Sequence, residues 1–308
     1  MVVGTEVSPE SRLDLMLYPA LRQTYFEEEW ELAAQGEPYS DCGEVRAKAW
    51  CPDELVFKHD LVENCNRLEC PVCNLTTARK AAKKVTERMW SYREILKKHR
   101  KRHARLSHVT FSIPVEESYQ DYRELRKRLY KAMKKAGVRG AVVIFHPYRF
   151  RDAFGNEVPW KRCSLNPEAE SPIPDCVAEW SPHWHAVCTG WLIPSDEFEE
   201  RTGWIYKNHG ERYTRDDVFF TVAYLVSHMG LGERVQSITY IGEASYNRLV
   251  IAEERVEYEP VLCPDCEAEL ELHYVKAKVI DGNPVLGYVE PWHRKVVRRV
   301  YRLKGVCP

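Results

Sequence analysis

Residues 181–192 read SPHWHAVCTGWL, and within this run His183 and His185 stand either side of Trp184 in what otherwise reads as a β-strand. On a strand, residues i and i+2 project from the same face, so both imidazoles reach one point in space. Each can give one nitrogen to a divalent cation. Two packing histidines would produce the same pattern, and H-x-H arises often by chance, so the flanking sequence has to decide.

Upstream, LSHVTFSIP (106–114) alternates, is rich in β-branched residues and stops at a proline, which predicts a strand. SYQDYRELRKRLYKAMKKAG (118–137) is an amphipathic helix with Leu125, Leu129 and Met133 on one face and Gly137 as its stop. GAVVIFHPYRF (140–150) is apolar enough to be a central strand. Downstream come a helix over TRDDVFFTVAYLVSHMG (214–230) and a strand over RVQSITYIGEAS (234–245), with Asp216 and Asp217 at the helix N-terminus, where the macrodipole favours anions. The order strand, helix, strand, strand, helix, strand predicts an α+β fold, an antiparallel sheet with helices packed on one face.

Three regions follow: residues 1–105, cysteine-bearing and then basic; the core, 106–253; and 254–308, a cysteine knuckle with short strands. The first holds an amphipathic, helix-like segment at LRQTYFEEEWELAAQ (21–35) and a long helix from Thr76 to about His103. There is no internal repeat, and residues 151–180 read as a long loop.

The chain has 308 residues, 44% hydrophobic and 30% charged, a composition that suits a folded globular protein. No apolar run approaches the ~20 residues that span a bilayer, and no secretory leader pattern opens the sequence, so a cytoplasmic, non-membrane protein is expected. The net charge of −1 conceals an asymmetry: Arg79 to Arg105 carries twelve Lys and Arg against Glu87 and Glu94. Such a segment is either a solvated helix face or an element that displaces counterions from a polyanion.

Eleven cysteines include two C-P-x-C pairs, which in an intracellular protein favour zinc over disulfides. Cys70 and Cys73 can grip Zn2+ from one knuckle with Cys65 beside them, while Cys42, Cys51 and His59 compete for the fourth place. Cys263 and Cys266 form a second knuckle, with Cys307 as one partner for a second zinc and His273, His293, Cys163 or Cys176 as others.

The helix at 214–230 carries Tyr224, with His228 one turn on. A helical tyrosine is usually core, and Phe219, Phe220 and Leu225 are its neighbours. A phenol next to a cation-bound phosphate is also a competent nucleophile, and attack would leave a phosphotyrosine link that stores the energy of the broken backbone bond.

In order, LSHVTFS, HWH and AYLVSH resemble the three motifs of the HUH endonucleases, specifically the rolling-circle replication initiators (Rep proteins) of small plasmids and viruses, archaeal ones included. Cys42-Gly43 and then CNRLECPVCNLTTARKA (65–81) are similar to the C-x4-C-x2-C element that precedes the nuclease core in several such initiators, which ranks Cys42 as the fourth zinc ligand. The likeness covers roughly residues 41–250. It implies an HUH nuclease (RRM-like) core with zinc-binding N- and C-terminal elements, Mg2+ or Mn2+ on His183 and His185, and Tyr224 as nucleophile. Initiators of this family often complete the cation site from the adjacent strand, where His146 is the best candidate and Glu116 a weaker one. Ser227 stands where many members have lysine, and neither a second tyrosine nor a glutamate flanks Tyr224, which implies a single-tyrosine enzyme.

The implied activity is nicking and joining of single-stranded DNA at an origin stem-loop, with host helicase and polymerase as partners. Trp90, Tyr148 or Trp184 would stack on bases. Other readings are a non-catalytic zinc-containing DNA-binding regulator, a transposase or relaxase of the same superfamily, and a zinc hydrolase using His183 and His185 directly.

Overall fold

The computed structural model describes residues 30–99, 104–118, 121–232 and 236–305. In chain order the strands and helices are β1 (Trp30–Leu32), β2 (Val45–Cys51), β3 (Val56–Val62), α1 (Asn74–His99), β4 (Ser107–Ser112), α2 (Tyr122–Lys135), β5 (Val138–Arg151), β6 (Val177–Gly190), α3 (Ser195–Thr202), β7 (Ile205–Glu211), α4 (Arg215–Val226), β8 (Gly230–Gly232) and β9 (Ile238–Gly242). They are followed by β10 (Leu249–Pro260), β11 (Glu271–Tyr274), β12 (Lys278–Ile280), β13 (Asn283–Val285), β14 (Val289–Pro291) and β15 (His293–Leu303). Most of the helix-like 21–35 segment lies outside the described residues, and its described part includes β1, which pairs with β8.

The main sheet has the order β7-β4-β6-β5-β9, with every neighbouring pair antiparallel. The strand that carries His183 and His185 is therefore its middle member. The α+β class and antiparallel sheet agree with the sequence; the placing of helices on a single face does not. Alternation along β5 and β6 sends Ala141, Val143, Phe145, Trp184 and Ala186 to one side, where they pack with α2 residues Leu125, Leu129 and Met133 and with Phe198 of α3. Val142, Ile144 and Val187 go to the other side, beneath Val85 and Met89 of α1 and Val218 and Val222 of α4. Strands apolar on both faces need cover on both, because uncovered apolar surface costs about 25 cal/mol per Å2.

Local chemistry sets the helix ends. Asp121 caps α2 by accepting from the Arg123 and Glu124 amides at 2.8 and 3.3 Å. Gly137 then takes a left-handed φ of 93°, where a Cβ would meet the Trp191 carbonyl oxygen at 2.1 Å. At the start of α4, Thr214 and Asp217 form a reciprocal capping box. Arg88 of α1 is 4% exposed and donates to the carbonyls of Ala244 (3.0 and 2.9 Å) and Leu249 (2.7 Å), which fastens the helix to the chain beyond β9.

A second, four-stranded sheet, β14-β11-β2-β3, joins chain segments that the sequence reading assigns to opposite ends of the protein. The long β10–β15 ribbon leads from the main sheet toward it. No helix among the described residues is long and apolar enough to cross a membrane.

Candidate metal and nucleotide site

Across the central ladder, Ser112, His183 and His146 stand directly opposite one another, as do Thr110, His185 and Ile144. Directly opposed residues share a face, so this polar row lies on the side covered by α1 and α4. His146, His183 and His185 can each bring a ligand atom within 4.8 Å of the others. The ring of His183 is oriented by its Nδ1, 2.7 Å from the Ser181 carbonyl oxygen, to which it donates; this leaves Nε2 with a free lone pair. His146 is 2% exposed and its buried Nε2 has no hydrogen-bond partner. A cation would satisfy that atom, so the residues fit the divalent ion that the sequence motif implies.

Burial holds all three imidazoles neutral, as ligation requires: His183 is pushed down to about 3, with Arg149 adding to the effect, and His146 and His185 lie well below their ordinary value.

His185 also belongs to a second trio with His108 and His209, which sequence reasoning missed. Nε2 of His108 lies 3.0 Å from Nδ1 of His185, and Thr110 Oγ1 bridges His185 and His209 at 3.0 and 2.8 Å. A neutral imidazole offers one lone pair, so His185 completes one trio at a time. Arg212 donates from Nη2 to Nδ1 of His108 at 3.0 Å, so a neutral His108 carries its proton on Nε2 and offers no lone pair to a cation in the second trio. The alternation His108, Thr110, Ser112 along LSHVTFS was the available sequence signal for one face; His209 lies on β7, which carried no strand prediction.

From the trio, ring contacts run outward. His146 and His228 have centroids 4.6 Å apart, and His228 and Tyr224 4.7 Å, while Trp160 stacks on His228 at 5.3 Å. Tyr224 is 40% exposed, so its ring is not sealed in the interior, and His228 stands between it and the three histidines. Burial raises the pKa of its phenol, against which the backbone amides of Lys161 and Trp160 act. Glu116 is exposed in a 3-10 turn after β4 and joins neither trio.

Tyr224 opens onto a cleft of about 640 Å3 that Phe220, Arg79, Lys161 and Arg162 also line. Trp184 and Tyr148, expected to stack on bases, are 1% and 6% exposed and belong to the core instead. Trp90 is partly buried beneath Arg93. Phe220, at 68% exposure, is the aromatic free to stack beside Tyr224.

Comparison of the chain with family models, curated proteins and solved structures finds no match in any of the three.

Cys42, Cys65, Cys70 and Cys73 bring their sulfurs within 4.8 Å of one another, so this cluster can bind a metal such as zinc. The Cys70–Cys42 separation of 3.8 Å matches the edge of a tetrahedron with arms of ~2.3 Å. Burial opposes ionisation of Cys65, but the Arg67 amide and the neighbouring sulfurs bring it down to about 7, whereas burial pushes Cys73 up to about 12. Helix α1 starts at Asn74, immediately after the last of the four. Cys51 and His59 do not belong to this cluster. Cys307 lies outside the described residues, and Cys263 and Cys266 meet Cys51 and Glu54.

Proposed function

We propose that the chain is an HUH-type endonuclease that nicks and joins single-stranded DNA at an origin stem-loop, to initiate and terminate rolling-circle replication. The observation that carries this reading is the shared face: His146, His183 and His185 project toward the layer of α4, and Tyr224 continues that layer through His228. Of the expected ions, Mn2+ suits imidazole nitrogen better than Mg2+, which prefers oxygen ligands.

The bound cation would polarise the oxygens of the scissile phosphate. The phenolic oxygen of Tyr224 forms the bond to phosphorus and loses its proton. The bond from phosphorus to the 3′ oxygen breaks, and that oxygen leaves as a hydroxyl for a host polymerase. The 5′ phosphate stays on Tyr224, so the reverse attack by a 3′ hydroxyl can rejoin a strand. Arg149, which donates to Ser112 Oγ at 3.1 Å and Ser181 Oγ at 3.2 Å, puts a guanidinium beside His183 where a phosphate would lie. Unwinding falls to a host helicase, and the activity belongs in the cytoplasm.

Incubating the protein with single-stranded oligonucleotides and Mn2+ tests the proposal. A denaturation-resistant protein–DNA adduct that Tyr224→Phe abolishes is expected. Tight DNA binding with no adduct would instead favour a non-catalytic zinc-containing DNA-binding regulator, a reading supported by the interposed His228. Activity at transposon ends or transfer origins alone would indicate a transposase or relaxase of the same superfamily.

A further inference from the structure

The second sheet has a core too small to hold it together. Its buried cluster is Ala49, Cys51, Cys263, Leu270 and Leu272, and two of these five are cysteines. The turn after β2 runs Cys51-Pro52-Asp53-Glu54-Leu55, and the turn before β11 runs Cys263-Pro264-Asp265-Cys266-Glu267. In each the fifth residue takes a left-handed φ, 56° at Leu55 and 63° at Glu267. The two knuckles therefore share sequence and backbone conformation, and Glu54 occupies the place that Cys266 holds in the other.

Their side chains converge. Cys51, Glu54, Cys263 and Cys266 bring one ligand atom each within 4.8 Å of one another. The Cys51–Cys266 sulfurs are 3.4 Å apart, and Cys263 Sγ lies 3.8 Å from Glu54 Oε1, close to the ~3.8 Å edge of a tetrahedral zinc–thiolate site. Glu54 uses its other oxygen, Oε2, for Lys58, whose Nζ also contacts Asp265 Oδ2 at 2.6 Å. One carboxylate oxygen thus faces the sulfurs while the other is held from outside, and the ammonium offsets part of the negative charge that three thiolates and a carboxylate concentrate.

The geometry points to a second structural zinc site, with Cys51, Glu54, Cys263 and Cys266 as its ligands. It clasps the β2–β3 hairpin to the knuckle ahead of β11, residues that lie some 209 positions apart. It pairs the Cys263–Cys266 knuckle with Cys51 and Glu54 instead of Cys307, and it does not depend on the nuclease reading.

Metal content of the full chain, measured by native mass spectrometry after mild chelation, tests the assignment. The wild type should hold two zinc ions, and Cys263→Ser/Cys266→Ser should hold one. Cys307→Ser should keep both, and its loss of the second ion would overturn the ligand set. Should the double variant fail to fold, Glu54→Cys still decides. It should retain two ions, release the second at least tenfold more slowly to a chelator, and add a fourth thiolate's charge-transfer absorbance when loaded with Co2+. An unchanged spectrum and release rate in Glu54→Cys, or a wild type with a single zinc, overturns the proposal.

Discussion

His146 stands directly opposite His183 across the β5–β6 ladder, and its buried Nε2 is without a hydrogen-bond partner. An unsatisfied buried acceptor costs roughly 1–3 kcal/mol, which a cation between the two rings would recover. His146→Gln should therefore lower Mn2+ affinity by tenfold or more in a titration of the full chain followed by electron paramagnetic resonance. His108→Gln and His209→Gln should leave it within a few-fold of wild type. The opposite ranking would move the cation to the trio of His108, His185 and His209.

The same burial gives the protein an acid limit. His108, His183 and His228 are each pushed down to about 3, chiefly by burial, from an ordinary value of 6.5. A depressed imidazole pKa means that the unfolded chain takes up the proton first. Stability is then full above about pH 6.5 and declines as pH falls toward about 3, by about 1.4 kcal/mol per pH unit for each imidazole that stays neutral in the fold. Urea midpoints measured without added metal should fall clearly between pH 7.5 and pH 5, and His108→Asn should reduce the difference. A midpoint unchanged over that range would show that these histidines are not held neutral.

Arg88 is a structural cation within a segment that reads as predominantly basic. Its guanidinium donates to the Ala244 and Leu249 carbonyls and lies 4.8 and 4.5 Å from the ring centroids of Tyr240 and Tyr246. Arg88→Met keeps the apolar stem of the side chain but leaves those carbonyls without their donor. A loss of about 2–4 kcal/mol in urea unfolding is expected, with little change in DNA affinity. Weakened DNA binding at unchanged stability would place Arg88 on the nucleic acid instead.

The elements that were legible in the sequence are those specified by short-range patterns. Period-two alternation gave β4, an apolar face and a terminal glycine framed α2, and C-P-x-C spacing marked the knuckles. What the sequence did not disclose depends on pairing over long distances. Alternation says that two faces of β5 exist but not what covers each, so α1, read as part of a separate N-terminal region, was not seen as a cover for the histidine face. The pairing of β2 with β11 brings Cys51 to Cys266, and nothing local to either knuckle announces the other. His228 was visible one turn after Tyr224, but its place against His146 and Trp160 follows from tertiary packing alone.

The cleft beside Tyr224 joins an exposed aromatic, Phe220, to Arg79, Lys161 and Arg162, with Glu168 and Glu170 also on its wall; the aromatic and the three cations are the groups that the proposed single-strand binding would use. Under the proposed function a base stacked on Phe220 would contribute on the order of 1–3 kcal/mol, so Phe220→Ala should weaken binding of a single-stranded oligonucleotide roughly five- to a hundredfold, with an unchanged salt dependence. Arg79→Ala and Lys161→Ala each remove a cation that displaces counterions, so both the affinity and the slope of log K against log salt should drop, the slope by about 0.7 per charge. Fluorescence anisotropy at several salt concentrations separates the two effects. Equal behaviour of the Phe220 and Lys161 variants in that assay would show that the strand takes another route across the protein.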